Sequence, residues 1–209
     1  MRIPTTLKFI PATVIFLCLF TPTSLPAQKS NPGDYLILHQ GDTLYGKVEY
    51  INESSTIRDF HKKIQITDAS GKRKKYKREA VAAFRVDNTD YESFWLKPTS
   101  QKIFSLNVRY DLEVKKGDLY FLKVRKRGNL SHYELEWFEQ GESFLMSMDL
   151  LKKEEDDYLL RATQGLLGIK RKALRDYFSE CPDLQMQIDQ KQQNEIGSIV
   201  EFYNNNCSD

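Results

Sequence analysis

Three histidines, His39, His61 and His132, and three cysteines, Cys18, Cys181 and Cys207, are the side chains best suited to metal binding or nucleophilic chemistry in this 209-residue chain. No second histidine or cysteine stands at ligand spacing from any of the histidines, so nothing in the sequence spells a zinc-type site. His132 alternates with Tyr133 and Leu135, which places it on the outer side of a strand as a solvated side chain, not a ligand or base. No Gly-x-Ser-x-Gly elbow, His-Glu-x-x-His helix or phosphate-cradling glycine loop occurs. The pairs Glu154-Glu155 and Asp156-Asp157 lack the alternating spacing and the glycine of a calcium loop, so they read as a solvated turn. Asp42 is explained by the turn it forms with Gly41. No catalytic, metal-binding or cofactor-binding residue is predicted, and no cofactor is expected.

The densest charge is Lys72, Arg73, Lys74, Lys75, Lys77 and Arg78, interrupted by Tyr76. Two readings stand beside each other. The run is an interaction patch for an anionic partner such as lipopolysaccharide or nucleic acid, or it is an edge strand that lysines keep from pairing with other chains. The second reading weighs more, because the cluster is single and local.

Cys181 and Cys207 bracket what first resembles one long helix. Residues 183 to 204 in a single helix would span about 33 Å, whereas a disulfide needs Cα atoms within about 7 Å. The apolar period breaks instead. Leu184 and Ile188 share one face of a first short helix, and Ile196, Ile199, Val200 and Tyr203 form the stripe of a second. The polar stretch QKQQN between them ends in Asn194, a residue suited to capping the second helix. Two antiparallel helices would bring the thiols together, so an intramolecular bond is expected over free thiols or an intermolecular bridge. A redox-active role is not expected, since the spacing is nothing like Cys-x-x-Cys.

The compartment is suggested by the N-terminus. Arg2 and Lys8 precede an apolar run from Phe9 to Phe20 and the turn-forming TPTSLPA, the pattern of a secretory signal peptide cut after Ala27. The run is shorter than the roughly 20 residues that cross a bilayer. Leu17 before Cys18 is not the small residue a lipoprotein site wants. Without residues 1–27, 29 Lys plus Arg face 29 Asp plus Glu. A formally neutral mature chain gives no support to nucleic-acid binding. The remaining residues, 28–209, suit a single domain, mostly β over 28–165 and helical over 166–209.

The elements follow from periodicity. YLILHQGDTLYGKVEY is a β-hairpin turning at Gly41-Asp42, and KKIQITDASGKRKKYKR is a second hairpin turning at Asp68 to Gly71. INESSTIRDFH reads as a loop. Phe104, Leu106, Val108, Tyr110, Leu112 and Val114 alternate with polar residues, and the alternation resumes in Tyr120-Leu122-Val124, Tyr133-Leu135-Trp137 and Phe144-Met146-Met148. Four strands with short turns predict an antiparallel meander. An 11-residue strand would reach roughly 36 Å and is expected to bend or to be shared between two sheet regions. YLLR adds a short strand, and a helix is expected over about 170–179, unable to run on through Pro182. The expected fold is α+β and mainly antiparallel β: hairpins plus a four-strand meander, as a sandwich or partly closed barrel, with a C-terminal group of short helices.

Three blocks of the chain, GDYLILHQGDTLYGKV, YKREAVAAF, and YFSECPDL with IVEFYNNNC, resemble a group of uncharacterised exported proteins of Bacteroidota. The chain departs from that pattern at Gln40, after Tyr76, where the proline is missing, and at Glu180. The resemblance implies a periplasmic or secreted location in a Gram-negative envelope and carries over no activity. The leading expectation is a non-enzymatic exported interaction or structural module that contacts an envelope protein or a surface polymer, using exposed aromatics such as Tyr45 and Trp95. The alternative is a curled sheet holding a small apolar ligand, and a hydrolase comes third. Oligomeric state is left open.

Overall fold

A computed structural model describes residues 33–51, 61–98, 109–113, 117–138, 145–163 and 168–207. Within them the chain forms strands β1 (Tyr35–Leu38), β2 (Thr43–Tyr45), β3 (Lys47–Ile51), β4 (Lys63–Thr67), β5 (Arg73–Lys77), β6 (Val81–Val86), β7 (Thr89–Pro98), β8 (Arg109–Leu112), β9 (Asp118–Lys126), β10 (Leu130–Phe138), β11 (Leu145–Lys153) and β12 (Tyr158–Arg161). Helices α1 (Arg171–Tyr177), α2 (Pro182–Asp189) and α3 (Ile196–Asn206) follow. The mainly antiparallel fold with short C-terminal helices is as expected.

Both hairpins form where the sequence places them. β1 pairs with β2 around Gly41, whose φ is 99°. β4 pairs with β5 around a turn in which Asp68 Oδ1 accepts hydrogen bonds from the Ser70 and Lys72 amides. Leu44 to Tyr50, one strand by alternation, is broken at Gly46, where the chain leaves the sheet of β2 and enters that of β3. Gly46 has φ 154°, and a Cβ there would stand 2.3 Å from the Thr67 carbonyl oxygen. Only glycine lets the two backbones pass so closely.

The larger sheet closes on itself. β7 pairs with β9 through Tyr91 to Leu96 and with β8 through Leu96 to Pro98. Strands β7, β8, β12, β11, β10 and β9 therefore form a six-strand barrel, with β6, β1 and β2 extending outward from β7. A four-strand meander is present as β9-β10-β11-β12, with membership shifted by one strand from the sequence reading. β8 precedes β9 in sequence but lies between β7 and β12. Alternation tells which residues share a face but not which strand lies alongside. Most of the 11-residue run beginning at Phe104 lies outside the described residues, as does residues 52–60 of the expected loop. Sharing between two neighbours is instead performed by β7.

Three apolar clusters follow. Leu96, Leu122, Tyr133, Leu135, Met148, Leu150 and Leu159 meet inside the barrel. Outside it, Phe84, Tyr91 and Phe121 pack beneath Val48, Ile64 and Ile66 of the small sheet β3-β4-β5. On the opposite flank, Leu130, Leu151 and Leu160 are covered by Leu174, Phe178, Leu184, Ile199 and Val200 of the helical segment. The hairpins and helices thus cover the barrel's outer surface, while the inner faces cover one another.

Cys181 and Cys207 are disulfide-bonded with Cα atoms 5.7 Å apart, tying the start of α2 to the end of α3. Pro182 is the first residue of α2, where its missing N–H costs nothing. Asn194 does not cap α3. Glu195 occupies that position without a side-chain hydrogen bond, and Asn194 Oδ1 instead accepts one from the Arg171 guanidinium at 2.8 Å.

Candidate binding surfaces

The basic run becomes two populations once β5 pairs with β4. Arg73, Lys75 and Lys77 stand opposite Thr67, Gln65 and Lys63 on the outer face, and β3 adds Lys47 and Glu49 to the same face. Lys74 and Tyr76 stand opposite Ile66 and Ile64 on the core side, with the Lys74 ammonium 4.8 Å from the Tyr76 ring centroid. Lys72 belongs to the turn, and Arg78 starts a 3₁₀ turn and pairs with Glu79 at 3.4 Å. Of six predicted patch residues, three share the outer face, and Lys47 and Lys63 join them. β5 is also the last strand of its sheet, so the edge-strand reading is geometrically right.

Pleated geometry fixes the spacing of this face. Neighbouring strands lie about 4.8 Å apart and alternate residues about 6.6 Å apart, so five cations occupy roughly 10 by 13 Å. That is about one Debye length at physiological salt, and their fields overlap. Glu49 is the acid among them. Its hydrogen bond from Lys47 Nζ, 2.7 Å long, holds the carboxyl below its usual range, and Gln65 Nε2 donates a second at 3.0 Å.

A second feature, absent from the sequence reading, lies at the barrel mouth beside the β9–β10 and β11–β12 turns. A cleft of about 420 Å³ is lined by Glu92 and Phe94 of β7, Arg127 of the turn, Tyr133 of β10 and Lys152 of β11, among others. Glu92 accepts a hydrogen bond from Tyr133 Oη at 3.0 Å and pairs with the Arg127 guanidinium. Phe94 meets the Tyr133 ring edge to face at 5.0 Å. Glu92 shares the inward face with Phe94 and Leu96. A carboxylate at an otherwise apolar strand position was the signal available for it.

Of the three histidines, only His132 was given a place by the sequence, facing outward into solvent. His132 does point away from the lumen, yet it is 7 % exposed because that flank of the barrel lies under the helical segment. Its Nε2 is 2.7 Å from Asp149 Oδ1, and Asp149 Oδ2 accepts a hydrogen bond from Thr163 Oγ1 at 3.1 Å. Burial pushes the Asp149 carboxyl up, but these hydrogen bonds outweigh it and hold it below the usual range. His61 is buried among aromatic rings, and His39 is exposed with Nε2 3.5 Å from Ser93 Oγ. Trp95, expected to be exposed, is half-buried; Tyr45 is 72 % exposed. Glu154 and Glu155 do form an exposed turn, and Asp156 accepts a hydrogen bond from Tyr177 Oη.

Another buried cation ties the helices to the barrel. Lys153 Nζ donates to the Tyr177 carbonyl at 2.7 Å, pairs with Glu180 at 2.5 Å and lies 4.4 Å from the centroid of the Tyr177 ring. Phe178 and Tyr203 complete the aromatic surround. A carboxylate, a carbonyl and ring faces take the place of water around the ammonium.

No protein-family model, curated protein or solved structure matches the chain. Its class rests on architecture: a closed six-strand antiparallel barrel, flanked by a three-stranded sheet and by a disulfide-closed group of helices. No described helix is long and apolar enough to cross a membrane.

Proposed function

We propose that this chain is a non-enzymatic, exported module of the cell envelope that holds an anionic surface polymer against the outer face of β3-β4-β5. The observation that carries the reading is the gathering of Lys47, Lys63, Arg73, Lys75 and Lys77 on one face of a small sheet with Glu49 as their acid. A polymer with repeating negative charge can meet several regularly spaced cations at once, and each contact adds to the avidity of the rest. The N-terminal leader pattern supports export. The Cys181–Cys207 bond is compatible with an oxidising compartment.

Dextran sulfate and uncharged dextran differ in charge and share a backbone, so they separate charge recognition from sugar recognition. The reading predicts that the protein binds dextran sulfate and that binding weakens steeply from low to physiological salt, while dextran is not bound. Equal binding to both polymers, or to neither, would sink it.

A second reading, an apolar ligand held inside the barrel, is favoured by closure of the ring. Six strands enclose less space than the roughly eight at which side chains just fill a barrel, so such a ligand would have to displace residues such as Met148. Native mass spectrometry of the purified protein tests it: a retained small molecule supports the reading, and unliganded protein alone opposes it.

A further inference from the structure

We infer that the cleft at the barrel mouth is a binding site for a neutral sugar unit, built from Glu92, Arg127, Tyr133 and Lys152 over the Phe94 ring. The site shares no residue with the basic sheet face, so either can fail without the other.

Size, charge and surface chemistry each point the same way. A cleft of about 420 Å³ falls within the range of about 300–1,000 Å³ that takes small molecules. Its side-chain charges balance. Glu92 is paired with Arg127, the Lys152 ammonium donates to the backbone carbonyls of Lys153 and Glu154, 3.1 and 3.0 Å away, and Glu154 adds a second acid to the lining. Lys153 also borders the cleft, but its ammonium turns away to Tyr177 and Glu180. A site with no net charge has little long-range pull on an ion, so a phosphate or a free carboxylate is a poor match.

The polar groups are instead arranged for hydroxyls. Each sugar hydroxyl is both donor and acceptor. A carboxylate beside a guanidinium offers acceptors and donors side by side. Tyr133 Oη fixes Glu92 from below, so the carboxylate is oriented before any ligand arrives. Burial and the Glu92 charge push the Tyr133 phenol well above its ordinary value, and it stays a donor at any physiological pH. The half-buried Phe94 ring, braced by Tyr133, supplies the apolar surface on which the C–H face of a pyranose packs.

The test uses the full chain labelled with ¹⁵N, titrated with maltose, cellobiose and N,N′-diacetylchitobiose, with glycylglycine and pyrophosphate as the charged comparators. At least one neutral disaccharide is expected to bind and to shift the amides of Ser131 and Lys152. Tyr133→Phe and Arg127→Lys, each checked for an unchanged fold in the same spectra, should weaken that binding about tenfold, and Lys75→Gln should leave it unchanged. Three results overturn the assignment: no disaccharide bound at tens of millimolar, glycylglycine or pyrophosphate bound at the mouth in preference, or sugar binding indifferent to both mouth substitutions.

Discussion

His61 is 1 % exposed and stands edge-on to Tyr50, 4.4 Å away, and to Phe121, 6.0 Å away. Burial among these rings pushes its pKa from 6.5 down to about 3. Below pH 6.5 the unfolded chain takes up a proton that the folded chain refuses until about pH 3. The stability tied to the neutral imidazole is therefore complete above pH 6.5 and is lost progressively on acidification. Urea unfolding should show a loss of about 2 kcal/mol between pH 6.5 and 4.5, and His61→Phe should flatten that slope. Asp90, Asp149 and Glu180, whose carboxyls are held below their usual range, add their own losses only at lower pH.

Asn204 is a second residue whose role only the structure reveals. Its side chain accepts from the Leu130 amide at 2.8 Å and donates to the Leu130 carbonyl at 2.9 Å, closing a two-bond clamp between α3 and β10. Asn204→Ala should cost about 1–3 kcal/mol in denaturant unfolding. Asn204→Asp should cost at least as much, because it keeps the acceptor but sets a carboxylate against the carbonyl. Nothing in the sequence marks Asn204 among the three asparagines 204 to 206. His132 is similar: alternation correctly turned it away from Tyr133 and Leu135, but the cover supplied by the helical segment is a long-range fact that no local period encodes.

Among the elements, the C-terminal helices were the most legible. Their apolar stripes, Leu184 with Ile188 and Ile196 with Ile199, Val200 and Tyr203, are the residues buried against the barrel. The polar stretch between them does separate two helices, and the disulfide follows from that separation. Replacing Cys181 and Cys207 by alanine should lower unfolding free energy by about 3 kcal/mol, since the bond closes a span of 26 residues. Denaturant melts of the oxidised, reduced and doubly substituted protein check it. Oxidised and substituted forms of equal stability would mean that the helices dock without the clasp.

The strands were legible as strands but not as a sheet order. Tyr120-Leu122-Val124 and Tyr133-Leu135-Trp137 alternate cleanly because one side of each strand faces the barrel interior. What alternation could not give was the neighbour of β7, whose pairing with β9 joins residues 91–96 to 118–123 although β8 lies between them in the chain. Gly46 was hidden for a related reason. Its place in the alternating run is formally correct, and only the approach of the Thr67 backbone shows that the strand changes sheet there.

At the scale of the whole molecule, the fold presents two separate surfaces, a basic face on β3-β4-β5 and a cleft at the barrel mouth. Global charge concealed the first, because 29 acids balance 29 bases once Arg2 and Lys8 are set aside. Pairing of β5 with β4 concentrates part of that balanced charge on one face and turns Lys74 to the other. The claim that the face, and not the basic run itself, recognises polymer is open to a direct comparison. Arg73, Lys75 and Lys77 can be changed together to glutamine, and Lys72, Lys74 and Arg78 can be changed together in a second protein, removing the same charge from the same run. The measurement is affinity for dextran sulfate at fixed salt. A loss of about tenfold or more is expected in the first protein and a much smaller one in the second. Equal losses in the two would contradict it.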